Sequence, residues 1–215
     1  VFTKLRVLQL KDFDKVIVLD IDLLVKANID ELFTLTPPAA LRRGMNDASW
    51  GYRLGESIDG KAFFGGRDPS RPAWSWGQGT GINAGVMLIR PSEDVFNEMM
   101  EELTDPNHPS HCQGNGPEQD YLSRFWADAP WSYIGVEYNY QMHQMFFALH
   151  PRWVDSTDRT CLLQSFERIK VVHFSGEPNA KPWRRVLHPD FEHLWPDRSK
   201  DEKYCSLFAA TFLDD

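Results

Sequence analysis

Apolar positions in this chain fall into short runs and helical stripes, separated by long polar stretches. Phe2, Leu5 and Leu8 recur at helical spacing until Asp12-Phe13-Asp14 breaks the pattern. Val16-Ile17-Val18-Leu19 follows as a continuous run that reads as a buried strand. Asn28 is placed as an N-cap, with Asp30 and Glu31 suited to the positive end of a helix. Ile29, Leu32 and Phe33 form that helix's apolar face, and Pro37-Pro38 ends it. A second strand, Val86-Met87-Leu88-Ile89, is entered through Gly81-Ile82-Asn83-Ala84-Gly85. Ser92, Glu93 and Asp94 then start a helix whose stripe is Val95, Phe96, Met99, Met100 and Leu103.

Pro117 suits a first helical position, and Tyr121, Leu122, Phe125 and Trp126 give that helix its core-facing side. Tyr133 to Val136 is expected as a short strand and Ile169 to Phe174 as a firmer one. Strands interleaved with helices indicate α/β. Residues 40 to 81 are poor in aliphatics and rich in Gly, Trp and polar groups, so they are expected to form a long loop or insertion. Trp50, Trp74 and Trp76 anchor that loop or stack on a sugar. Beyond Trp183, charged and aromatic residues alternate among prolines, and residues 186–215 are expected to wrap over the surface of a domain spanning 1–185.

Composition narrows the classes. With 215 residues and 42% hydrophobic content, one domain with a sizeable core is expected. A net charge of -8 argues against a nucleic-acid surface, which needs clustered Lys and Arg. Cys112, Cys161 and Cys205 are too few and too scattered to form a disulfide framework. No stretch approaches the roughly 20 apolar residues of a membrane span. The compartment, cytoplasm or Golgi/secretory lumen, stays open, as does an oligomer. Because the chain opens at Val1 inside a helical pattern, it reads as part of a longer protein.

The candidate chemistry begins at Asp20-Ile21-Asp22, directly after the Val16 run. On an extended backbone, residues two apart point to the same side, so the two carboxylates would face one another. Such a pair repels itself unless a cation intervenes, and Mn²⁺ or Mg²⁺ prefers these oxygen ligands and shares them with a diphosphate. Taken alone, the pair reads equally well as a solvated strand edge. His173, at the end of the Ile169 strand, is the third candidate ligand. Gly176 lets backbone approach an anion, and Lys181 adds a point charge for phosphate. Asn83, Ala84 and Gly85 combine an amide with small residues, while Glu118 and Gln119 open a helix at the same pocket edge. His108-Pro109-Ser110-His111-Cys112 lacks a partner pair at zinc spacing and reads as a solvated loop.

These residues, in this order, resemble the glycogenin-like retaining glycosyltransferases of family 8. The matching blocks are Thr3-Lys4-Leu5, Lys15 to Asp22, Asn28 to Phe33, Asn83-Ala84-Gly85-Val86 with Arg90-Pro91-Ser92, Pro117-Glu118-Gln119-Asp120, Val171 to Phe174 and Lys181-Pro182-Trp183. The resemblance implies a GT-A fold with a mixed, mostly parallel sheet flanked by helices, lacking its first strands and nucleotide-base segment. It also implies a UDP-sugar donor, an acceptor hydroxyl of unknown class, and Mn²⁺ or another divalent cation held by Asp20, Asp22 and His173. Asp20-Ile21-Asp22, Gly176 and Lys181 would lie along the nucleotide and diphosphate. Asn83, Ala84, Gly85, Glu118 and Gln119 would line the sugar, with Glu118 or Gln119 nearest the place of a catalytic nucleophile. Tyr138-Asn139-Tyr140 matches a Tyr-Asn element near the family's acceptor side, and is read here as an aromatic cluster without chemistry. Glu177-Pro178-Asn179-Ala180 lengthens the Gly176 to Lys181 spacing relative to glycogenin. Two rivals remain: an incomplete relative acting as a binding scaffold, and a metal phosphohydrolase, which lacks a second ligand cluster.

Overall fold

The computed structural model describes residues 2–43, 52–59, 81–108, 117–142, 168–175, 181 and 183. Gly176, the three tryptophans of the long polar stretch, His111, Cys112 and the segment 186–215 lie outside the described residues.

The centre of the fold is β5 (Ile82–Ile89), buried along its whole length. It is longer than the Val86 run suggests, because Ile82, Asn83, Ala84 and Gly85 are already in strand conformation. One edge of β5 carries β1 (Val16–Leu19), antiparallel with Leu19 opposite Val86. The other edge carries β3 (Ala39–Arg42), also antiparallel, with a register shift between Ala40 and Leu41. Then come β6 (Pro130–Tyr133), parallel to β3, and β4 (Ser57–Asp59), antiparallel to β6. A second sheet is formed by β2 (Leu23–Val25), β8 (Val171–His173) and β7 (Tyr140–Gln141), in the order β2-β8-β7. The helices are α1 (Glu93–Thr104), which packs on the N-terminal segment, and α2 (Pro117–Phe125), which packs on β5.

Several local expectations change. The N-terminal segment Phe2–Gln9 is a 3₁₀ helix, and the three-residue repeat of Phe2, Leu5 and Leu8 is the period that geometry requires. Among the described residues β1 is an edge strand, half-buried rather than buried. The helix after Asn28 is a 3₁₀ turn, Asp30–Thr34, with Ile29 at its cap position; Asn28 Oδ1 still accepts from Asp30 N, 2.8 Å away. Its Leu32 is buried, whereas Phe33 is exposed. Two strands, β3 and β4, occupy part of the stretch read as a loop. Ala39 and Ala40 hid β3, because alanine carries little strand signal. The strand expected over Tyr133–Val136 lies earlier, since Gly135 turns the chain at φ +82° into a 3₁₀ helix over Val136–Tyr138. The sheets are mixed, but four of the six pairings among the described residues are antiparallel, not mostly parallel.

The α1 start is as expected: Ser92 Oγ accepts from Val95 N at 3.3 Å, a contact worth about 1 kcal/mol. Glu102, on the same helix, is buried beside Arg124, a pairing invisible to periodicity.

Glu137 sits on the 3₁₀ helix with its carboxylate against Gly135, where a Cβ would meet Oε2 at 2.5 Å. Burial pushes its carboxyl above the ordinary range, against the lowering influence of a backbone hydrogen bond and Arg168. A raised carboxyl favours the folded state below its unfolded pKa, and that advantage is lost as pH rises. Glu137→Gln is therefore expected to melt at a higher temperature than the wild type at pH 8, with the gain vanishing near pH 4. Calorimetric scans at both values check this; a variant less stable at pH 8 would contradict it.

Candidate functional site

The chain leaves the five-stranded sheet at Leu19 and enters the three-stranded one at Leu23, and Asp20-Ile21-Asp22 is the connection. Ile21 and Asp22 form a turn, so simple strand alternation does not explain why the carboxylates converge. Two backbone bonds do. Asp20 N donates to Gly85 O at 2.9 Å, tying the first carboxylate to β5. Phe174 N donates to Asp22 O at 3.0 Å, and Leu23 pairs with His173, tying the second to β8. Ile21, between them, is fully exposed.

One ligand atom each from Asp20, Asp22 and His173 lies within 4.8 Å of the others. That is slightly wider than a shell built on bonds of about 2.1 Å. Two carboxylates and an imidazole form a borderline oxygen and nitrogen set that suits Mn²⁺. The residues present therefore fit a divalent cation. Both acidic groups stand at the carboxyl end of β1 and His173 at that of β8, the edge where open α/β sheets bind ligands.

Two ammonium groups flank the trio. Lys181 Nζ is 2.5 Å from Asp22 Oδ2 and also donates to Phe174 O. Lys4 Nζ is 2.6 Å from Asp20 Oδ1, 3.5 Å from Glu118 Oε1 and 3.1 Å from Ala84 O. The buried His173 ring brings Nε2 to 3.4 Å from Asp22 Oδ1. Burial alone would raise the Asp22 carboxyl, but hydrogen bonds and charge from His173 and Lys181 outweigh it and hold it well below the usual range.

The remaining candidates sit around this centre. Glu118 faces Lys4, and Gln119 Oε1 accepts a long 3.4 Å bond from Ala84 N, so the first turn of α2 is laced to β5. Ser123 reinforces the lacing by accepting from Ile82 N at 3.0 Å. Gly85 leaves no open space: the His173 ring fills it, and an added Cβ would stand 2.5 Å from Cε1. Asn83 lies behind that ring rather than on an exposed surface, and its amide bonds to Gln141, Asn139 and Gly85.

Sequence reasoning overlooked three residues. Lys4 appeared only as part of a block, although its contact with Ala84 spans 80 positions. Asn139, dismissed with its aromatic neighbours, is fully buried and 2.8 Å from His173 Nδ1. Gln141 is also buried in this network, and its Nε2 has no hydrogen-bond partner among the described residues. A polar residue flanked by core tyrosines was the available signal.

Comparison with known proteins places this arrangement. The profile described as glycosyl transferase family 8 matches residues 1–186. An uncharacterized protein of Acanthamoeba polyphaga mimivirus, R707, is 33% identical over 86% of this chain and 56% of its own length. Galactinol synthase 2 of Solanum lycopersicum is 26% identical over 85% of this chain and 49% of its own. The chain thus spans about half the length of the curated relatives it matches. Among solved structures, the apo form of the glycosyltransferase GlyE of Streptococcus pneumoniae TIGR4 aligns with a TM-score of 0.52 at 20% identity, covering 95% of this chain and 46% of GlyE. The bifunctional glycosyltransferase WbbM aligns at 0.52 and 19% identity, covering 94% of this chain and 36% of its own. The likeness to GlyE shows a GT-A fold.

Proposed function

Because this chain belongs to glycosyl transferase family 8, we propose that it moves a hexose from a UDP-sugar to an acceptor hydroxyl, using a divalent cation, Mn²⁺ by preference. The observation that carries this reading is the convergence of Asp20, Asp22 and His173, flanked by Lys4 and Lys181. We assign the cation to those three ligands; once bound, it neutralises charge on the departing diphosphate.

The protein's own groups do the rest. Lys181 presents a positive point charge beside the cation ligands, suited to a phosphate oxygen. We assign Gly176 to the same diphosphate. Lys4 holds Asp20, Glu118 and the Ala84 carbonyl in one cluster, so the cation-binding turn and the sugar-facing helix keep a fixed separation. Glu118 and Gln119, on the first turn of α2, are assigned to the reacting face of the sugar. There the bond from the anomeric carbon to the diphosphate breaks, a bond to the acceptor oxygen forms, and the acceptor's proton passes to an oxygen of the departing diphosphate. Retention at that carbon follows from the family resemblance.

Titration calorimetry with UDP, in Mn²⁺ and then in EDTA, tests the reading, together with UDP release from UDP-hexoses. Heat and UDP release only with metal are expected. Equal binding in EDTA, or none in either condition, would overturn it. Release of inorganic phosphate in place of UDP would favour the phosphohydrolase.

A further inference from the structure

We infer that Asn139 is a positioning residue that sets the tautomer and ring orientation of His173, through an amide relay whose polarity is dictated by the backbone N–H of Gly85. The metal role of His173 rests on the function proposed above; the relay itself does not.

The relay can be read in only one direction. A backbone N–H can only donate, and Gly85 N lies 2.9 Å from one side-chain atom of Asn83, which must therefore be Oδ1. That oxygen also lies 2.8 Å from Asn139, so the Asn139 atom facing it must be Nδ2. The other end of the Asn139 amide is then Oδ1, and it stands 2.8 Å from His173 Nδ1. An amide oxygen accepts, so Nδ1 must carry a proton. With that proton held on Nδ1, Nε2 is a second donor toward Asp22 Oδ1, 3.4 Å away, while the ring is charged, and a lone pair offered to a cation between the two once it is neutral. On its far side, Asn83 Nδ2 donates to Gln141 Oε1 at 3.0 Å, as this polarity requires.

Burial makes the constraint firm. Asn139 is 0% exposed, Gln141 3%, His173 5% and Asn83 7%, so bulk water is not available to satisfy a reversed amide or the other tautomer. In that other tautomer, two acceptors would face each other at 2.8 Å inside the protein. The relay also joins the two sheets. Asn83 lies on β5, Gln141 on β7, and Gln141 pairs with His173 across the β7–β8 ladder. A histidine that ligates a metal is commonly oriented by a partner on its second ring nitrogen, and loss of such a partner typically weakens metal binding about 10- to 100-fold.

Long-range ¹H–¹⁵N NMR of His173 in the metal-free wild type, at a pH where the ring is neutral, decides the relay without any variant. Protonation on Nδ1 is expected; protonation on Nε2 overturns the inference. A second arm titrates Mn²⁺ alone into folded protein, with free Mn²⁺ followed by electron paramagnetic resonance. Asn139→Leu is expected to move the proton to Nε2 and weaken Mn²⁺ binding by about 10- to 100-fold. Asn139→Asp keeps an oxygen on Nδ1 but turns its second oxygen against Asn83 Oδ1, so it is expected to keep the Nδ1 proton while lowering the melting temperature. A leucine variant matching the wild type in both proton position and Mn²⁺ affinity would sink the positioning role. If the wild type bound no Mn²⁺ while its spectrum showed the Nδ1 proton, the cation assignment would fail and the relay would stand.

Discussion

Gly85→Ala is expected to weaken Mn²⁺ binding at least tenfold and to remove metal-dependent sugar transfer, while the chain still folds. An alanine Cβ at this position would lie 2.5 Å from His173 Cε1, 2.7 Å from Nδ1 and 2.9 Å from Asn83 Oδ1. Carbon atoms do not pack that closely, so something must move. Gly85 lies on β5, and the backbone of Asp20 hydrogen-bonds to it, so its own backbone is the less free partner. The imidazole must swing away, breaking its bond to Asn139 and its approach to Asp22. Backbone strain is not the cause, because the positive-φ glycines among the described residues are Gly55, Gly81 and Gly135. Gly55→Ala is therefore the control: it forces a strained φ of +79° and is expected to lower the melting temperature without touching Mn²⁺ affinity. Equal Mn²⁺ affinity in Gly85→Ala and wild type, measured by paramagnetic resonance, would refute the account.

Asp22→Asn carries the second large effect, a loss of metal-dependent transfer by more than roughly a hundredfold with the fold retained. The amide has nearly the shape of the carboxylate, and the Asp22 backbone bond from Phe174 N survives the change. What disappears is one negative charge beside His173 and Lys181. The folded state holds that carboxyl well below its ordinary value, so its stabilising contribution is present at neutral pH and is lost only as pH falls past the carboxylate range. The variant should then melt lower than wild type at pH 7 and converge with it in strong acid. Circular dichroism melts at both values check the stability half, and UDP release with added Mn²⁺ checks the catalytic half. Wild-type turnover in a folded Asp22→Asn protein would end the assignment of this carboxylate.

The candidate cation ligands were legible because their residue types are rare companions of apolar runs. Asp20 and Asp22 follow Leu19, and His173 follows Val172, so each charge or imidazole marks where a strand reaches a polar edge. Ser92, Pro117 and the stripe of Phe96 and Met99 were legible for a local reason too, since caps and helical periodicity involve residues within a few positions. The family resemblance was legible too, and the profile over residues 1–186 bears out that family.

Other features depend on partners far away in the chain. Nothing near Ala39 announces that it lies opposite Leu88 and Ser132, and strand direction in a sheet has no local signature. Glu102 and Asn139 looked like ordinary polar residues until Arg124 and His173 were placed beside them. Even the reason the two aspartates meet proved non-local: strand alternation anticipated it, but pairing to Gly85 and Phe174 achieves it. By itself the sequence determined the family, the candidate ligands and most of the buried segments, because composition and short-range periodicity record the free energy of leaving water. The tertiary structure decided how those side chains are aimed, through Gly85, Asn83 and Asn139, because hydrogen-bond direction is a property of atoms in space and not of their order along the chain.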